Sequence, residues 1–247
     1  MATQIRSLRS DLLARLRHGE HLMLYGPRGS GKSTLLAELE THLIRAGTPC
    51  ARVASTCCLN DITRALEQAY PRVDTQEVAR RTARARLWRA ADVRGGVLLL
   101  DHLTDVSNAM VGFLRRLHGG VAGVLLAVDV EVERERQRMK PWRVGALSVR
   151  MPPTSASRLR QLLRSSCADR HLPLPGPQVE RRLLRAARGR PGWILQCVQL
   201  QTREQYWHDD RLCVALLCTD SEIALRQRTL NFLRGGELMA QSSRSSA

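Results

Sequence analysis

Apolar residues follow two different periods along this chain. Ile5, Leu8, Leu12, Leu13 and Leu16 recur at helical spacing, with Arg6, Arg9, Arg15 and Arg17 mostly on the other face. A leader helix over 3–18 is expected, feeding through His18-Gly19-Glu20 into a strand at His21-Leu22-Met23-Leu24-Tyr25. An amphipathic helix runs from Lys32 to about Ala46, where Gly47-Thr48-Pro49 stops it. Strands are expected at 50–54 and within 143–151, and short, unalternating apolar runs occur at Val97-Leu98-Leu99-Leu100, ending in Asp101, and at 121–128, ending in Asp129. Such runs suit strands buried on both faces of a parallel sheet. Helical patterns at 59–69, 75–91 and 107–117 fill the spaces between them.

Pro152-Pro153 marks a change of pattern, and beyond it the chain reads as helical. Thr154 can cap a helix carrying Leu159, Leu162 and Leu163; a proline-rich turn at 172–177 precedes a helix over 179–187; and Gly189-Arg190-Pro191-Gly192-Trp193 opens another that runs through Gln205. Residues 212–217 fit either a strand or a helix, and Thr219-Asp220-Ser221-Glu222 fits a capping box opening a helix to about Leu233. The expected organisation is an α/β parallel-sheet core with a leader helix over 1–151, a small helical lid over 152–205, and a C-terminal extension over 206–247 with a partly disordered tail.

Candidate chemistry is concentrated between the first strand and the helix after it. Gly26, Pro27, Arg28, Gly29, Ser30, Gly31, Lys32, Ser33 and Thr34 fit the phosphate-loop pattern G-x-x-x-x-G-K-[ST] at every fixed position. A triphosphate needs backbone N–H groups wrapped around its β-phosphate, and side chains at Gly29 and Gly31 would obstruct that approach. The helix from Lys32 aims its positive end at the phosphates, Lys32 reaches the β/γ oxygens, and Ser33 is placed to ligate Mg²⁺. The cofactors expected are therefore ATP and Mg²⁺. A GTPase is disfavoured, because no N-K-x-D motif for reading guanine occurs.

Charge adds a partner class to that picture. The 247 residues carry 39 Lys and Arg against 23 Asp and Glu, a net charge of +16, and only Lys32 and Lys140 are lysines. Such an excess favours a polyanionic partner, most often nucleic acid, over a merely basic solvated surface or a basic face meeting an acidic protein. The densest basic stretch of the front half, Arg80, Arg81, Arg84, Arg86 and Arg89, is either solvated or in contact with a phosphate backbone. Seven cysteines form no C-x-x-C pair and read as buried thiols. No run approaches the roughly 20 apolar residues that span a bilayer, and Met1–Arg6 lacks the apolar core of a signal peptide, so a cytoplasmic protein is expected.

With the loop, the Leu98-Leu99-Leu100-Asp101 strand, the strand ending at Asp129 and Gly189-Arg190-Pro191 in place, the chain resembles an AAA+ ATPase over residues 3–205. Within that group it looks most like the replication-initiator branch, which includes the ATPase regulators of bacterial transposons. The resemblance implies that Asp101 is the Walker B aspartate, organising Mg²⁺ with Ser33. The usual Glu after it is here His102, which can accept a proton or position a water; Asp105 is the nearest substitute carboxylate. Asp129 falls at the sensor-1 position, Arg138 or Arg136 at that of an arginine finger, and Arg190 stands for the lid's sensor-2 arginine, with Gly192 at the family's own position.

The function implied is an ATP-controlled homo-oligomeric assembly that engages DNA or a DNA-processing partner. Two alternatives stand beside it: a scaffold ATPase recruiting a protein partner through its C-terminal region, and a small-molecule kinase, against which the leader helix and the lack of an acceptor motif count.

Overall fold

The computed structural model describes residues 2–53, 62, 65, 96–103, 112, 115, 123–129, 145–208, 211–225 and 227. By contacts they form two compact units: one from Ala2–Gly26 and Lys32–Met151, the other from Pro27–Gly31 and Pro152–Arg234. The expected helices at 59–69, 75–91 and 107–117 lie almost wholly outside the described residues, as do Asp105, the arginine-bearing segment 131–141 and the chain after residue 227.

The first unit is a parallel five-stranded sheet of β1 (His21–Gly26), β2 (Cys50–Val53), β3 (Val97–Leu103), β4 (Gly123–Asp129) and β5 (Leu147–Arg150), in the order β2-β3-β4-β1-β5. The α/β parallel-sheet reading of the sequence is therefore correct. β4 and nearly all of β1 are buried along their length, as central strands covered on both faces must be, whereas β5 is mostly exposed at the sheet edge. Helices α1 (Ala2–Arg17) and α2 (Lys32–Arg45) supply the cover: Leu12, Leu16, Leu36 and Leu39 pack with Leu24 and Leu125 in one core. After β1 the chain leaves for β2 at one edge, and after β4 it crosses β1 to β5 at the other. The C-terminal ends of β1 and β4 thus flank a topological switch point, where ligands bind in open α/β sheets.

The second unit contains α3 (Ala156–Ala168), α4 (Pro177–Ala187), α5 (Pro191–Gln201), a two-stranded ribbon of β6 (Trp207–His208) and β7 (Arg211–Leu212), and helix α6 over 214–225. Trp193, Ile194 and Val198 of α5 form its centre, packed with Leu163, Leu183 and Leu217. Two local expectations are corrected. Ser155, not Thr154, caps α3, its Oγ accepting from the Arg158 N–H. The Thr219–Glu222 segment does not open a helix but lies inside α6, where the Thr219 hydroxyl donates back to the Ala215 carbonyl.

Candidate functional site

In the sheet unit, candidate side chains converge at the C-terminal ends of β1, β3 and β4. The register sets Gly26 directly opposite Asp129, so the residue that begins the loop and the residue that ends β4 are neighbours. Lys32, at the start of α2, is 6% exposed and donates to the Gly26 carbonyl at 2.8 Å. Its ammonium also lies 2.7 Å from Asp129 Oδ1, a buried ion pair. Burial works to raise the Asp129 pKa, but contact with His102 and the Lys32 charge outweigh it and hold this carboxyl well below the usual range.

Asp101 and His102 occupy an irregularity in β3. Leu100 pairs with Leu126 and Leu103 with Val128, so Asp101 and His102 together face one residue of β4, and the bulge turns His102 into the left-handed region at φ +50°. A non-glycine residue held there costs of the order of 1 kcal/mol, and strain of this kind gathers at functional sites. The His102 N–H donates to Asp101 Oδ1 at 2.9 Å. The ring then bridges two candidate residues: Nε2 is 3.4 Å from Ser33 Oγ, and Nδ1 is 3.6 Å from Asp129 Oδ2. The Asp129 carboxylate raises the His102 pKa above its ordinary value, against the opposing effect of burial.

Arg52 of β2 was not singled out from the sequence. Its Nη2 lies 3.7 Å from Asp101 Oδ2 and donates to the Ser33 carbonyl at 3.5 Å, while Nη1 donates to Glu40 at 3.2 Å. Strand alternation was the available signal, because Ala51 and Val53 are buried on one face and Arg52 must point to the other. Its meaning depended on β2 lying beside β3, which spacing does not reveal.

The loop residues Pro27–Gly31 pack in the helical unit. Gly29 and Gly31 take φ +76° and +98°, a region glycine enters without strain, and the Ser30 N–H donates to the Pro27 carbonyl. The Gly192 N–H donates to the Gly29 carbonyl at 2.9 Å, and a Cβ on Gly192 would stand only 2.8 Å from Gly29 Cα. Position 192 therefore has no room for an arginine. Arg190, 7% exposed, is turned to its own unit: its Nη2 and Nη1 donate to Glu222 of α6 at 2.8 and 3.2 Å, and Nε to the Ala187 carbonyl of α4 at 3.1 Å. Arg138 lies outside the described residues.

Residues 2–175 match the family model described as an AAA ATPase domain. The chain belongs to that family. No curated protein matches it by sequence. Among solved structures it is similar to the Orc1 protein of Aeropyrum pernix in complex with DNA, at 18% identity and a TM-score of 0.50 over 89% of this chain and 64% of that one. Domain III of the replication initiation protein DnaA from Thermotoga maritima matches at 16% identity and a TM-score of 0.50, over 87% and 91%. A Walker-type ATPase of Pyrococcus abyssi matches at 14% identity and 0.52, over 98% and 76%. These likenesses establish a fold shared with replication-initiator ATPases, and the chain spans about three fifths of the length of several of the initiators it matches.

The residues present suit nucleotide and Mg²⁺. Ser33 and Asp101 offer the hard oxygen donors that Mg²⁺ requires, and Lys32 offers the buried cation that a phosphate would meet. Among the described residues no helix is long and apolar enough to cross a membrane.

Proposed function

We propose that this AAA ATPase-domain protein is an ATP-dependent switch, in which bound nucleotide stabilises an oligomeric form that engages DNA or a DNA-processing partner, with slow hydrolysis as its reset. The observation that carries the reading is the buried Lys32 at the start of α2, held at the strand ends by Gly26 and Asp129. Mg²⁺, when bound with ATP, neutralises charge on the β- and γ-phosphates. The chain's own residues divide the remaining work. Lys32 would exchange Asp129 for phosphate oxygen; Ser33 and Asp101 would hold the metal; His102, braced by Asp129, would orient a water and take its proton in place of the missing glutamate. Arg190 acts by joining α4 and α6 rather than by reaching nucleotide. Arg138 remains the proposed residue for contact with a neighbouring subunit's nucleotide.

DNA as the partner rests on the net charge of +16 and on the likeness to an initiator solved with DNA. The test is fluorescence anisotropy of labelled single-stranded and duplex DNA against protein with ATP, with ADP and without nucleotide. Affinity that rises with ATP and falls steeply with salt supports the proposal, since neutralised phosphates release counterions. ATP-independent binding, or none at low salt, defeats it. Lys32→Ala, expected to abolish ATP binding in calorimetry, is the control that separates failure at the nucleotide site from failure at the DNA.

A further inference from the structure

The helical unit contains a half-open cavity of about 900 Å³, within the range of small-molecule sites. Leu172 and Leu174 of the proline-rich turn, Val179 of α4, Trp207 and Leu212 of the ribbon and Val214 of α6 make most of its wall. Leu174 stays 59% exposed there, an apolar side chain with no cover among the described residues. The Trp207 ring is fixed in place by its Nε1–H, which donates to the Gln201 carbonyl at 2.8 Å.

Polar groups in the lining are few and complementary. Gln201 lines the cavity at 1% exposure; its Nε2 makes only a long contact to Cys197 Sγ at 3.8 Å, and its Oε1 has no hydrogen-bond partner. Oε1 has no surface open to the cavity, so Gln201 packs into its wall and leaves the charged groups to meet the polar part of a ligand. Among the described residues of the lining, Arg182 and Arg211 stand against the one carboxylate of Glu204, and neither arginine makes an ion pair there. Gly176 adds the start of α4, where no side chain caps the helix and the first-turn N–H groups favour an anion.

We propose that this cavity is a binding site for a small amphipathic organic anion, with an apolar body against Trp207, Val179 and Val214 and an anionic head held by Arg182 and Arg211. N-acyl amino acids combine these two groups. The site lies within the helical unit and does not depend on the proposed role in DNA binding.

The probe is 8-anilinonaphthalene-1-sulfonate, which carries an aromatic body, an N–H and a sulfonate, titrated by fluorescence with ATP saturating so that the nucleotide site is blocked. One probe is expected to bind per chain, displaced by N-decanoylglycine but not by the decyltrimethylammonium cation. Thr202→Trp, which fills the cavity from an exposed position, and the double variant Arg182→Glu, Arg211→Glu should each weaken binding by about tenfold or more, with melting curves confirming that both are folded. Probe affinity unchanged by Thr202→Trp, or displacement by the cation as effective as by the anion, overturns the proposal.

Discussion

Replacing Gly192 by alanine tests the closest backbone approach in the helical unit. Alanine at an unstrained helical glycine normally stabilises, by about 0.4–1 kcal/mol, because it restricts the unfolded chain. At Gly192 the sign should reverse. The new Cβ would stand 2.8 Å from Gly29 Cα and 3.1 Å from the Gly29 oxygen, both fixed backbone atoms. Ordinary carbon contacts lie near 3.5 Å, so α5 and the loop must part by about 0.7 Å. That displacement stretches the 2.9 Å hydrogen bond from Gly192 N–H to Gly29 well beyond useful length. Overpacking and the lost bond together outweigh the alanine gain and leave a net cost of about 1–2 kcal/mol. For a chain of this size the melting temperature should fall by about 3–6 °C. Circular dichroism melts measure the stability and calorimetry with a non-hydrolysable ATP analogue the affinity, which should weaken because Gly29 is a loop residue. Gly176→Ser is the control, since a Cβ at Gly176 meets nothing within 4 Å and serine is a good N-cap. If Gly192→Ala matches or exceeds the native protein in melting temperature and binds the analogue equally well, the contact between loop and α5 is not a feature of the folded chain.

Other consequences are open to measurement. Asp129→Asn removes the carboxylate that pairs with Lys32 at 2.7 Å, so triphosphate should bind about tenfold more tightly while turnover falls, as read by calorimetry and phosphate release. Weaker binding would mean that Asp129 positions Lys32 rather than competing for it. Glu180, 7% exposed, joins Arg160 of α3 at 2.5 Å and Arg164 at 3.1 Å. Burial alone would raise its pKa, but the two arginines hold it below the ordinary 4.5; the stabilisation is therefore present above that pH and lost as pH falls through the lowered value. Denaturant titrations should show Glu180→Gln less stable than the native protein by about 1 kcal/mol near neutrality, with the gap closing below pH 4; a constant gap would refute the linkage. Burial pushes the Cys197 thiol up to about 12, whereas Cys213 is exposed. Peptide mass spectrometry after brief alkylation should find Cys213 modified and Cys197 protected until the chain unfolds; early labelling of Cys197 would contradict its burial.

Much of the sheet was legible in the sequence because its central strands are covered on both faces. Runs such as Val97–Leu100 and Val124–Val128 then have no polar positions to confuse them, and only their ends shift by a residue or two. The phosphate loop was equally legible, since each of its glycines and Lys32 has a local reason to be there. The α6 start was not. Val214, Leu217 and Ser221 follow a helical period, but Thr219 and Glu222 imitate a capping box, and Glu222 is in fact Arg190's partner. The pairs around the site were hidden for another reason: Lys32 with Asp129, Ser33 with His102 and Arg52 with Asp101 exist only because of the strand order, which is set by packing rather than by spacing.

Those pairs bear on what nucleotide must do. Lys32 has a carboxylate partner and Asp101 lies within ion-pairing distance of Arg52, so on the proposed reading the charges that would meet Mg-ATP are already engaged with one another. Binding therefore replaces existing contacts, and the net gain is smaller than the same groups would give if they stood unpaired. On the proposed reading, each contact that Lys32 and Asp101 give up to nucleotide is one that the bound form lacks. A ligand shifts a conformational equilibrium only by its differential affinity for the two states, and partner exchange at Lys32 and Asp101 is a direct source of such a difference. Fast turnover asks for a pre-organised base beside the metal; this chain offers a strained histidine shared between Ser33 and Asp129. On the proposed reading, the same substitution that slows the chemistry prolongs the ATP-bound state, and a long-lived bound state is what a nucleotide-controlled assembly requires.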